Sequence, residues 1–181
     1  EVRALTAKLI VALPGSNRQG VDALFDRSLV ETRDRKLPEL ERLQALRILE
    51  SAPFELIEPL RSELIVPTES PAIQLAALEI LNASRDARSG RVMLSGWAGY
   101  SPELRSTVLA SIFSRENRVS ALVAAIEGGD VNVSNLSARQ RERLVSNQDP
   151  ALAKRVELLL QDEKTPETVN AIATKFRASL D

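Results

Sequence analysis

The chain contains no cysteine and no histidine. Without cysteine there is no disulfide, thiolate nucleophile, zinc–thiolate site or haem thioether attachment within these residues. Without histidine there is no imidazole general base, no Ser-His-Asp arrangement, and no histidine ligand for a metal or haem. A Ser-x-x-Lys nucleophile is missing as well. Carboxylate chemistry survives this screen, but carboxylates are common on any helical surface. Aromatic residues make up only 3% of the chain against an apolar share of 44%, so the interior must be mostly Ala, Leu, Val and Ile. That mix suits closely stacked helices better than a strand-rich sandwich. No apolar run approaches the roughly 18 residues of a membrane span; "ALVAAI" at 121–126 is about the longest. No secretory leader opens the chain. It begins on Glu1 within a helical phrase and is expected to be a segment of a larger protein. Lys plus Arg is 24 against 25 for Asp plus Glu, a net charge of −1. Such balance gives no electrostatic reason to expect nucleic acid or an anionic membrane as partner.

What the chain does have is a recurring phrase. "SPAIQLAALEIL" from Ser70, "SPELRSTVLASIF" from Ser101 and "DPALAKRVELLL" from Asp149 share one layout. Ser or Asp supplies an N-cap acceptor for orphan N–H groups, and Pro takes the first helical position, where its missing donor does no harm. Thr165-Pro166 has the same form. Apolar residues follow at helical spacing: Ile73, Ala77, Leu78 and Leu81 correspond to Leu104, Val108, Leu109 and Ile112, and Leu152, Val156, Leu159 and Leu160 nearly repeat the set. An earlier copy from Leu40 aligns with Ala72 at an offset of 32, and Ser70 aligns with Ser101 at 31. Two helices per period of this length indicate a stacked helical array.

The second helix of each unit is expected at about 54–65, 86–96 and 117–127. Pro59 should shorten or kink the first. Gly96 and Gly99 should end the second through left-handed turns, and Gly128-Gly129 the third. Residues 2–13 and 20–34 read as a further helical pair joined by "PGSNRQG". From Asp130 the period breaks and the last offset is 48. "DVNVSNLS" reads as a loop with a short extended piece, followed by a brief helix over 137–146 that Ser137 and Gln140 cap reciprocally.

Candidate sites stand beside plainer readings. Gly15 to Gly20 has the spacing of a phosphate loop, but Val21 stands where Lys is needed and no strand precedes it, so a helix-connecting turn is preferred. Arg139 and Arg143 in "RQRER" share a helix face, and Arg85, Arg88 and Arg91 form a second stripe at i, i+3 and i+6. For Arg139 and Arg143 a solvated face is preferred, with contact to an acidic partner or a phosphate as the alternative. The stripe of Arg85, Arg88 and Arg91 is the sequence basis for a nucleic-acid alternative, and these five arginines are the candidate partner contacts. Asp162 with Glu163, or Glu55 with Glu58, could serve a hydrolase or hold a hard cation, although neither forms a calcium loop. Trp97 is expected to plug a turn between helix pairs rather than stack on a ligand. Asn82, Asn132 and Asn135 begin N-glycosylation triplets, which matter only in a glycosylating pathway.

"DPALAKRVELLL" resembles a HEAT repeat, and the copies at 70 and 101 fit the same pattern over about 36–129. A narrower resemblance covers roughly 100–181. Ala125, Ile126, Gly129, Val131, Leu136, Ser137, Gln140, Arg141, Leu144, Asp149, Leu152, Arg155 and Leu159, with the final "KFRASLD", resemble the segment before the cytochrome domain of large planctomycete-type membrane-bound dehydrogenases. The resemblance implies a parent with a dehydrogenase propeller, a helical middle and a C-terminal cytochrome c, in an extracytoplasmic compartment. Neither redox domain lies in this chain, so no catalytic or haem-ligating residue carries over.

The expected fold is therefore all-α, a right-handed α-α superhelix of four to five HEAT-like pairs. Residues 1–129 would hold the repeats, and 130–181 an insertion plus terminal helices continuing the same solenoid. The expected role is a non-catalytic scaffold with no cofactor or metal of its own, contacting other domains of its parent or a protein partner and not entering a membrane. A HEAT-like nucleic-acid binder related to alkylpurine glycosylases is the alternative, and a carboxylate-based hydrolase or lyase is the third reading.

Overall fold

The computed structural model describes residues 18–162, and the fold over that span is all-helical. The expected helix at 2–13, the Thr165-Pro166 start, Glu163 and the "KFRASLD" ending lie outside the described residues. No strand occurs among the described residues, and none of their helices is long and apolar enough to cross a membrane. The chain divides into two compact units, Glu1–Arg118 and Val119–Asp181. The period break at Asp130 falls inside the second unit.

In the first unit, α1 (Arg18–Arg33) packs on α2 (Glu39–Leu49), and α2 on α5 (Pro71–Ala83). Between them run two short helices, α3 (Phe54–Ile57) and α4 (Leu60–Leu64), broken at Pro59 as its ring and missing donor require. α6 (Ser89–Leu94) packs against α5 and α7 (Pro102–Phe113), and α5 also touches α7. The aligned apolar positions form one core: Ile73, Ala77, Leu78 and Leu81, like Val108 and Ile112, are fully buried. Each such Leu or Ile contributes about 1.5–3 kcal/mol relative to exposure.

Local sequence explains the helix starts. The Ser70 and Ser101 hydroxyls accept the Ile73 and Leu104 N–H groups at 3.4 and 3.2 Å, with Pro71 and Pro102 at the first helical position. Three helices share a further device. Arg42, Gln74 and Arg105 stand four residues after the N-cap positions Pro38, Ser70 and Ser101. Each side chain folds back on a carbonyl that precedes its helix: Arg42 Nε donates to Thr32 O (2.9 Å), Gln74 Nε2 to Glu69 O (2.8 Å), and Arg105 Nε to Trp97 O (3.1 Å).

Several boundaries differ from expectation. The first described helix begins at Arg18, so the end of "PGSNRQG" is helical rather than turn. The second helix of the next unit is only Ser89–Leu94, because the Ser84 hydroxyl accepts Asp86 N–H and the Asp86 carboxylate accepts Arg88 N–H, fixing a turn over 84–88. Gly96 is not left-handed; a Cβ there would lie 2.5 Å from the Tyr100 hydroxyl. The buried ring, whose hydroxyl donates to Met93 O at 2.9 Å, occupies the space a side chain would need. Gly99 is not left-handed either; among the described residues only Gly129 has positive φ, at 79°.

The second unit contains α8 (Val119–Glu127), α9 (Ala138–Val145) and α10 (Pro150–Asp162), with α10 packed on both others. The expected extended piece is instead a single 3₁₀ turn, Val133–Asn135, because Asn132 and Asn135 cap each other's backbone N–H groups. The reciprocal cap of Ser137 and Gln140 forms as the spacing predicts, at 3.3 and 2.8 Å. The Asp149 carboxylate accepts the Ala151 N–H at 2.9 Å and starts α10.

Candidate functional site

The two arginine groups have different fates. Arg85 lies in the turn before α6 and Arg88 at the α6 N-cap position, so the expected i, i+3, i+6 stripe does not lie on one helix. Arg88 is committed within its unit. Its Nη2 donates to Glu55 Oε1 at 2.6 Å and Asp86 Oδ2 at 2.8 Å, its Nε donates to Asp86 Oδ1 at 2.9 Å, and its guanidinium lies 4.6 Å from the Phe54 ring centroid. The Arg88 hydrogen bonds hold the Asp86 carboxyl down to about 2 and also lower that of Glu55. The two acids in turn raise Arg88 above the usual guanidinium range. This arginine ties α3 to the turn before α6. Arg85 and Arg91 are exposed and make no ion pair among the described residues.

Arg139 and Arg143 both lie on α9, four residues apart, and both are exposed. Helical geometry puts them on one face. Arg141 points elsewhere, as its half-buried side chain shows; it lines a small hollow of about 10 Å³ with Ile126, Val133, Leu136, Leu144, Val156, Leu159 and Leu160. The acid on the outer surface of α9 is Glu142. A charged strip with two guanidinium forks suits a carboxylate- or phosphate-bearing partner.

Glu55 is exposed and paired with Arg88, Glu58 is half-buried, and Glu163 lies outside the described residues. Among the described residues no three His, Cys, Asp or Glu side chains converge as a metal set. Trp97 is 4% exposed in a single 3₁₀ turn (Trp97–Gly99) between α6 and α7, with Arg105 stacked 5.4 Å from its ring centroid. It fills a turn. Asn82 is half-buried and its side chain is held by Arg118, whereas Asn132 and Asn135 are exposed.

Between the starts of α5 and α7 runs an open groove of about 350 Å³, lined by Pro71, Gln74, Leu75, Ser101, Glu103 and Leu104. Glu103 carries the groove's only charge, and its own backbone N–H and the Ser101 hydroxyl hold its carboxyl below the usual range.

The strongest polar features are ones the sequence reading passed over. Glu69 is 4% exposed by its side chain and lies between two arginines: Arg42 Nη1 reaches Oε2 at 2.8 Å and Arg35 Nε reaches Oε1 at 2.7 Å. Beside this pair the Thr32 hydroxyl and Arg42 Nη2 are buried without a protein partner. Arg118, 1% exposed, donates to Asn82 Oδ1, Asn82 O, Ser84 O and Ser111 O. In the second unit Arg155 grips Glu127 through two hydrogen bonds, of 2.7 and 2.6 Å. Apart from the Arg118–Ser111 bond, seven positions apart, these bonds link residues 27 to 36 positions apart and so join different elements of the chain.

No protein-family model, curated protein or solved structure matches this chain.

Proposed function

We propose that the chain is a non-catalytic helical-repeat segment, a right-handed HEAT-like α-α superhelix, that serves a larger protein as spacer and docking surface. The observation carrying this reading is the recurrence, on α2, α5 and α7, of one helix design at successive offsets. Each carries a donor that holds the preceding segment and an apolar face buried against neighbouring helices. Units built this way lack private cores and stack through nearest-neighbour contacts, which yields binding faces on helix surfaces rather than one deep cleft. Arg139 and Arg143 are the contact pair this reading favours, with Arg85 and Arg91 as a second set. Arg88 instead ties α3 to the turn before α6.

Following the resemblance, the parent is an extracytoplasmic protein in which this segment positions a dehydrogenase domain relative to a cytochrome c domain, and the segment itself holds no cofactor. The test is calorimetric titration of the chain with the isolated cytochrome domain of its parent. The expected result is binding that weakens at least tenfold, about 1.4 kcal/mol, in the Arg139→Glu, Arg143→Glu double variant. Equal binding by the variant would remove the proposed face. Tight, salt-dependent binding of a DNA duplex instead would favour the nucleic-acid alternative, and a Soret band copurifying with the chain would overturn the cofactor-free reading.

A further inference from the structure

We infer that α5 is a conditional helix: its own sequence starts it, but its final carbonyls are closed by Arg115 and Arg118, which follow α7. The last turn of α5 carries no basic residue. Its C-cap, Ser84, is extended at φ −59° and ψ 139°, so no left-handed glycine folds back to satisfy the final carbonyls. Those carbonyls are taken by two guanidinium groups instead. Arg118 Nη2 donates to Asn82 O at 2.8 Å and Ser84 O at 3.0 Å; Arg115 donates to Ser84 O at 2.7 Å and Ala83 O at 3.3 Å. Arg118 also holds the Asn82 side-chain oxygen and, at 3.2 Å, Ser111 O near the end of α7.

One buried side chain thus joins the ends of two helices. Two positive charges at a helix C-terminus complement its partial negative charge, and together they stand where a cap would. Every acceptor of Arg118 named above is neutral, so the contact is not an ion pair. Burial lowers the Arg118 pKa to about 10, with the Arg115 charge adding to the effect, and it remains a cation at neutral pH. Because Arg118 is 1% exposed, it cannot leave those carbonyls without the α7 end also opening. Residues 82–84 therefore stay unfinished until residues 115–118 are in place, and release of the latter reopens the former. The device couples the ends of α5 and α7 reciprocally, so that opening either one weakens the other.

Hydrogen exchange on the full chain tests this, comparing Arg118→Met, Arg118→Lys and Arg115→Met with the unaltered protein. Amides over 78–84 should exchange about tenfold faster in Arg118→Met, with α2 little changed, because opening is local. Arg118→Lys should fall between, keeping the charge and losing the fork. Arg115→Met, at a half-exposed position, should give a smaller rise at the same amides, and it decides the matter if Arg118→Met does not fold. Unchanged exchange over 78–84, or an equal rise in α2 and α5, would overturn the inference.

Discussion

Two joints in the first unit use the same side chain against different acceptors. Where α2 meets the turn before α5, Arg42 and Arg35 close on the Glu69 carboxylate. Where α7 leads back to the end of α5, Arg115 and Arg118 close on main-chain and amide oxygens. The first joint is a buried ion pair, whose removal leaves a charge without a partner. The second is a cap, in which cations meet only partial charges. Arginine suits both because its planar fork reaches several acceptors at once and never loses its proton near neutrality. The difference lies in what can switch each joint off.

The largest expected effect is at the carboxylate. Glu69→Ala should cost about 3–5 kcal/mol in urea unfolding, since it strands the buried Arg42. A loss below about 1 kcal/mol would mean that the pair is no stronger than a surface contact.

Acid should separate the joints next. Burial pushes the Glu69 carboxyl upward, but the hydrogen bonds and charges of Arg42 and then Arg35 outweigh it, holding the group below its ordinary 4.5. Its contribution is therefore complete above pH 4.5 and is lost as pH falls through the depressed value in the folded chain. Hydrogen exchange at about pH 3 should show α2 loosening ahead of the α5 terminus, which has no acid among its clamping groups. Simultaneous loosening would erase the distinction.

A smaller effect belongs to the neutral joint. Asn82→Ala removes one acceptor of Arg118 and should cost about 1–2 kcal/mol by thermal or urea unfolding, with no dependence on acid. Smallest is the half-exposed pair of Arg33 and Glu63, whose side chains are 43% and 36% accessible. Arg33→Ala should cost about 0.2–1 kcal/mol and should cost still less in 1 M salt. A larger loss would place that pair with Glu69.

The helix starts were legible because the signals are local. Ser70, Ser101 and Asp149 cap as their Pro neighbours indicate, Pro59 breaks its segment, and Ser137 with Gln140 needs only three residues of spacing. The apolar set was legible for the same reason, through its helical period. The arginine partners were not. Arg118 and Asn82 stand 36 positions apart, and the residues one repeat before Arg115 and Arg118 are Ser84 and Ala87, so no period marks them. One cue was present and unused: under the two offsets Arg42, Gln74 and Arg105 align, each a long donor at the fourth position after its cap. Gly96 was legible as a break, but its cause is a tyrosine ring overhead, which backbone rules alone do not reveal.

Those aligned donors bear on how such a chain can be cut and rejoined. Thr32, Glu69 and Trp97 each belong, by hydrogen bonding, to the helix that comes after them. A module moved into another array should therefore travel with the segment leading into it attached, the end of α1 in the case of α2 and a turn in the other two. A splice made between that segment and its helix would separate the pieces that hold each other.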